Sequence, residues 1–249
     1  MTFDLTAAQE AWSRRAREFS QAVVAGHAQA IDERGVIPAE VRDAVNARSL
    51  TNPFSDDAVS ASVVVEEIAA VSAGVATAMG LEWTGRLASG GHDGLPGLRG
   101  SSIDAGPNAD PRDLRARLVL CAVAVGVGRA AVARAIEVMK SRGIRPGGDE
   151  PTPHWALADA AAELDAARLL TLSAAQVVDR GEPVDAPLEM AAQLSAVAAE
   201  RAVEAASAIE GPGGYRLGEL LERLTRDART LRLLLEEGTR HKAQGKTGD

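Results

Sequence analysis

A chain of 249 residues is long enough to bury a real core, as one large domain or two modest ones. Hydrophobic residues make up 46% of it but aromatic residues only 3%, with alanine, leucine and valine dominant, which favours closely packed helices over a strand-rich fold. With 35 acidic against 27 basic side chains and a net charge of −8, it lacks the cationic surface that nucleic acid or an anionic membrane would need.

The first predicted helix opens on a capping box, Thr6 with Gln9, and carries Trp12, Ala16, Phe19 and Val23 along one side. Gly35 interrupts it, and Pro38 suits the first turn of a second helix whose inner face holds Val41 and Val45. Pro53 closes that element, and Ser55 or Asp56 caps the next. Val64, Ile68, Val71, Val75 and Met79 then keep helical spacing for about four turns, so one continuous helix is predicted, weakened at its end by Gly80 and Gly85.

From residue 88 to 111 the chain turns to Gly, Pro, Ser and Asp with no period, which predicts a linker; its glycines lack the spacing of a phosphate-binding loop. Helical pattern resumes near Arg112 and runs through Leu114, Leu118, Cys121 or Ala122, Val125, Val132, Ile136 and Met139, with Gly126 and Gly128 placed to allow close helix contact. The apolar stretch Leu118–Val127 is too short to span a bilayer and is flanked by Arg115, Arg117 and Arg129. Cys121, the single cysteine, cannot form an internal disulfide and reads as a buried thiol. Further helices are predicted near Trp155–Val178 and Leu188–Ile209. A last one follows Gly211–Tyr215, with Leu217, Leu220, Leu221, Leu224, Ala228, Leu231, Leu234 and Leu235 on its apolar side and a tail that frays after His241. Four long helices with short connections make a bundle. His27, His92, His154 and His241 are too scattered for a metal site, and no N-terminal run pairs basic residues with an apolar segment, so a cytoplasmic location is expected.

Several segments, in order, resemble the acyl-CoA dehydrogenase family. Phe3–Thr6 with the helix through Phe19 is similar to its opening helix, and Val64-Val65-Glu66-Glu67-Ile68 followed by Ser72-Ala73-Gly74 to a core helix. Gly211-Pro212-Gly213-Gly214-Tyr215 resembles its glycine turn, Arg226-Asp227-Ala228-Arg229 its RDAR-type segment and Glu237-Gly238-Thr239 its EGT segment. The resemblance covers roughly residues 1–80 and 112–243. It implies a helical N-terminal domain, a middle β domain and a C-terminal four-helix domain, yet residues 81–111 leave no room for packed strands. The expected fold is therefore all-α: an N-terminal helical region over residues 1–87, a linker over 88–111 in place of the β domain, a four-helix bundle over 112–243 and a flexible tail over 244–249.

The resemblance also assigns roles. It implies Glu237 as the base that removes the α proton of an acyl thioester, with Glu236 as the alternative because two extra residues separate Asp227 from the EGT segment. It implies cofactor contacts for Arg142, Gly211, Gly213, Gly214, Tyr215 and Thr239, the glycine turn serving either as a pyrophosphate cradle or as a plain helix–helix turn. Arg142-Gly143-Ile144-Arg145 stands where flavin-binding members carry Arg followed by Phe-Gly, and Pro151 stands near their Gln. FAD is thus expected only in a completed complex, with no tight binding to the isolated chain. The expected partner is a second copy or a fuller flavin-binding dehydrogenase subunit, with neither nucleic acid nor membrane involved.

Overall fold

The computed structural model describes residues 4–85, 111–144 and 153–245. The linker expected over 88–111 therefore lies, Pro111 apart, outside the described residues. In chain order the helices are α1 (Ala7–Phe19), a π-helical turn (Ser20–Val24), α2 (Ala25–Arg34), α3 (Ala39–Ala47), α4 (Ala58–Ala69), α5 (Ala73–Trp83), α6 (Pro111–Ser141), α7 (Pro153–Asp179), α8 (Asp185–Glu210) and α9 (Leu220–Gly245). Among the described residues there is no β-strand, and only residues 84–110 separate α5 from α6.

The Thr6 hydroxyl accepts from the Gln9 amide at 3.3 Å while the Gln9 side chain accepts from the Thr6 amide at 3.0 Å, so the capping box forms as the sequence predicts. Further along, Val24 is the fully buried residue, while the predicted Val23 packs against the core only partly buried. The reason is the π-helical turn. Each α-helical residue advances about 100° around the axis, and a π turn holds one residue more than an α turn. That extra residue brings Val24, Ala28 and Ile31 back onto the side that carries Trp12, Ala16 and Phe19.

Two further expectations change. Asp57, not Ser55 or Asp56, caps α4, accepting the Ser60 amide at 2.5 Å, while Asp56 accepts the Trp12 indole N–H at 2.8 Å. The predicted continuous helix through Met79 is two helices, because the Ser72 hydroxyl accepts the Val75 amide and starts α5 anew. The apolar period runs across this break because both helices are buried nearly all round. At the C-terminus the backbone stays helical to Gly245, past the predicted fraying point.

Helices α6 to α9 form the bundle, in which α8 packs on α6, α7 and α9. The bridge to the N-terminal helices is α4, all 12 of whose residues are buried, packed against α1, α5, α6 and α7. The Asp113–Ser141 part of α6 is long and apolar enough to cross a membrane by length and composition, and 72% of its apolar window is buried inside the protein. Cys121 is buried there, and burial pushes its thiol up to about 11, which leaves it a core residue with little thiolate.

Two acidic side chains of α4 sit where helices meet. Glu67 accepts Arg17 at 2.8 and 3.1 Å and the Ser13 hydroxyl at 3.1 Å, both from α1. Glu66 accepts Arg168 of α7 at 2.9 Å and also pairs with Arg129 of α6. Burial pushes the Glu67 carboxyl up, but its bonds to Arg17 and Ser13 and the nearby Arg129 outweigh that and hold it below the usual range. Beside them, a Cβ added at Gly126 would lie 2.5 Å from the Glu66 carbonyl oxygen and 2.6 Å from the Ala69 Cβ, so glycine sets the α4–α6 approach.

Gly126→Ala should therefore destabilise the protein by about 1–3 kcal/mol, despite alanine's better helix propensity, because two backbones must separate. Gly26→Ala on α2, where nothing lies within 4 Å of the added Cβ, should instead gain about 0.5–1 kcal/mol. Urea denaturation of both variants checks the opposite signs.

Candidate functional site

Helix α9 is apolar on one side and charged on the other. Leu221, Leu224, Ala228, Leu231 and Leu235 are buried against the bundle, whereas Leu217, expected on the same side, precedes the helix and is 91% exposed. Along one edge of this stripe a cleft of about 710 Å³ opens between α2, α5 and α9. Asp32 comes from α2, Ala73, Gly74 and Thr77 from α5, and Asp227, Thr230 and Leu234 from α9.

Charge at this cleft is ordered. Arg226 donates to Asp32 and to Glu222, both at 2.6 Å, and so ties α9 to α2. Arg229 pairs with Glu200 of α8 at 3.0 Å. Asp227 is pushed up to about 6 by burial, with Asp32 and Glu222 adding to the rise and Arg223 and Arg226 opposing it. A carboxyl that titrates near neutrality can give or take a proton, and the buried Thr77 hydroxyl supplies a further polar group across the cleft. The sequence carried a signal for Asp227, a carboxylate set between Leu224 and Leu231 on the edge of an apolar stripe.

The two candidate bases lie further along α9. Glu236 accepts Arg232 at 2.7 Å, and Arg232 also pairs with Glu200, which holds Glu236 on the α8 side of the helix. Glu237 lies about two turns beyond Thr230 on the same helix, and Thr239 follows it; their side chains lie outside the described residues.

The glycine turn is 3₁₀-helical over Pro212–Tyr215, and Gly211 at φ 78° needs the left-handed freedom of glycine to end α8. Gly214 is buried with Glu210 and Leu221 against its Cα, Gly213 has open space beside it, and the Tyr215 ring is exposed. Arg142 is close by, but its guanidinium donates to the carbonyls of Ile209 and Glu210 at 2.6 and 2.8 Å. It satisfies the end of α8, as a cation at a helix C-terminus does. The Glu210 carboxylate also lies at this turn, paired with Arg134. These groups do not fit a flavin diphosphate: the cation is committed to carbonyls and a carboxylate stands beside it. Nor is there among the described residues a strand to back a flavin ring. No group of three or more potential metal ligands occurs among the described residues.

Two outcomes follow. Asp227 holds its proton more tightly folded than unfolded, so its favourable contribution is complete below pH about 4 and is lost as pH rises through about 6. Asp227→Asn should then melt higher than wild type at pH 8, with the gain gone by pH 4, read from thermal unfolding across that range. Arg142→Gln should cost about 1–3 kcal/mol by stripping two carbonyls of a charged donor, measured by urea denaturation.

Residues 114–240 match the family described as acyl-CoA dehydrogenase, C-terminal domain. The 3-(aryl)acrylate reductase of Clostridium sporogenes (strain ATCC 15579) is 35% identical over 125 residues, 49% of this chain and 33% of that protein. The probable acyl-CoA dehydrogenase YngJ of Bacillus subtilis (strain 168) is 32% identical over 125 residues, 49% of this chain and 32% of that protein. The match thus spans about a third of the length of these relatives. Butyryl-CoA dehydrogenase from Megasphaera elsdenii shares the fold, with a TM-score of 0.75 at 18% identity, across 96% of this chain and 99% of that one. With the family match extending over residues 114–240 of the bundle and the helices before it arranged as in that fold, the chain belongs to the acyl-CoA dehydrogenase family, and its described residues are all helical or connecting turns, with no β-sheet domain among them.

Proposed function

We propose that this chain is the helical part of a site for oxidoreduction at the carbon–carbon bond next to an acyl thioester, and that a fuller subunit of the same family brings the flavin. The observation that carries the proposal is the α2/α5/α9 cleft. It runs along the Arg226–Arg229 segment, has Ala73, Leu231 and Leu234 for an acyl chain, and offers the Thr77 hydroxyl and Asp227 carboxyl as polar contacts. The relatives that match the bundle include a reductase of arylacrylates and a probable acyl-CoA dehydrogenase, which supports this reaction class. Glu237, less than one turn along α9 from Leu234 at the end of the cleft, is the proposed proton acceptor, and the pairing of Glu236 with Arg232 argues for Glu237 over its neighbour.

The engagement of Arg142 by α8 supports a second reading, in which the chain keeps the cleft to bind an acyl thioester and has lost redox chemistry. Native purification from the source cell, followed by mass analysis and an absorbance spectrum, separates the two. The first reading expects a hetero-oligomer with flavin absorbance and dye-linked acyl-CoA oxidation. In that complex Glu237→Gln should lower turnover by about 10²–10⁴ with flavin content unchanged, while Glu236→Gln stays near wild type. A colourless homogeneous protein that binds acyl-CoA supports the second reading, and one that binds none removes both.

A further inference from the structure

On the other side of α5 a second cleft, of about 420 Å³, opens between that helix and α3. Its walls are apolar: Ile37, Val41 and Met79 are buried, and Val45 and Trp83 are partly so. Its rim is polar, with Arg42 and Asn46 from α3, Thr51 and Asn52 from the turn that follows, and Glu82 from α5. Helix α3 meets the body of the protein chiefly at the π-helical turn, which leaves its Arg42–Val45 edge standing off α5.

The turn that closes the cleft is held in an unusual shape. Ser49 and Asn52 both have positive φ, 53° and 40°, although neither is glycine, and the fully buried Leu50 between them pins the turn to the core. The Arg42 guanidinium makes no ion pair or hydrogen bond among the described residues, unlike those of Arg17, Arg129, Arg134 and Arg168. On its own helix Glu40 is turned to His27 at 3.9 Å, and Glu82 on the same rim has an interaction of its own.

We propose that this cleft binds an amphipathic monocarboxylate, its carboxylate paired with Arg42 and its hydrocarbon body against Val41, Met79 and Trp83. A guanidinium with free N–H groups matches a carboxylate in a two-point, charge-assisted contact. The amides of Asn46 and Asn52 supply neutral donors at the same rim. A phosphate dianion is disfavoured, because its second charge has no further cation to meet it and Glu82 stands on the same rim. The apolar walls add the burial that a short-chain acid lacks. The site is separate from the α9 cleft, from which it is divided by α5, and does not depend on the function assigned there.

Calorimetric titration of the full chain with octanoate and with octan-1-ol tests it. Octanoate should bind at one site with Kd of about 1 mM or below, and octanol about tenfold more weakly. Arg42→Gln, a surface change, should weaken octanoate about tenfold and leave octanol unchanged. Met79→Trp, which fills the cleft, should abolish octanoate binding while far-ultraviolet circular dichroism stays that of wild type. Thr77→Leu, which narrows the α9 cleft, should leave octanoate binding intact. Equal binding of octanol and octanoate, or an Arg42→Gln variant of unchanged affinity, overturns the proposal. Loss of binding in Thr77→Leu alone also overturns it, by moving the carboxylate to the α9 cleft.

Discussion

Two carboxylates on a helix with no exposed residue fix the arrangement of three others. Glu66 and Glu67 would be costly to bury alone, so α4 can be interior only where Arg17, Arg129 and Arg168 reach it from α1, α6 and α7. Those contacts specify both the rotation of α4 and the neighbours it accepts. An apolar helix of the same shape would pack in several registers, whereas this one has a single register that pairs every charge. The Gly126 approach depends on the same register, since it brings the Glu66 carbonyl against α6.

This centre explains how the N-terminal helices hold directly to the bundle. The N-terminal helices reach the bundle through α4 and α5, which press directly on α6, and through the Arg226–Asp32 pair at the far edge. The cleft along α9 is the space left where α2 and α5 stop short of that helix, so its walls are set by the same packing. Its ionised groups are mutually engaged at the rim, and the carboxyl with a raised proton affinity lies among them.

Much of this was legible in the sequence. The Thr6–Gln9 box, the Gly126 contact, the α9 stripe and the four-helix bundle each follow from residue type and spacing. What escaped was decided by competition between equivalent local options. Ser55, Asp56 and Asp57 can all cap a helix, and the outcome turned on the Trp12 indole, which takes Asp56 from 44 residues away in sequence. The break at Ser72 was hidden because the apolar period runs unbroken through Val71 and Val75, and Ser72, which caps α5, reads equally as a polar residue inside one helix. Arg142 is instructive in another way. Resemblance carries over a residue's identity, but whether its guanidinium turns to a ligand or to the end of α8 depends on how far α8 extends, which no local pattern states.

The π-helical turn between α1 and α2 has a consequence for how this chain can change. Its extra residue is taken up inside a helix, with the Ser20 hydroxyl bonded to the Ala16 carbonyl at 2.7 Å, and the side chains on both flanks still share one buried stripe. A chain one residue shorter over Ser20–Val24 keeps that stripe as an ordinary α-helix at a lower count. A one-residue loss elsewhere in α1 or α2 turns one half of the helix by about 100° against the other and carries Trp12 or Ile31 away from the core. Length can therefore drift at this point of the family's architecture while the interior stays the same, and a gap placed there in a comparison of relatives marks a change of helical pitch with no change of partner.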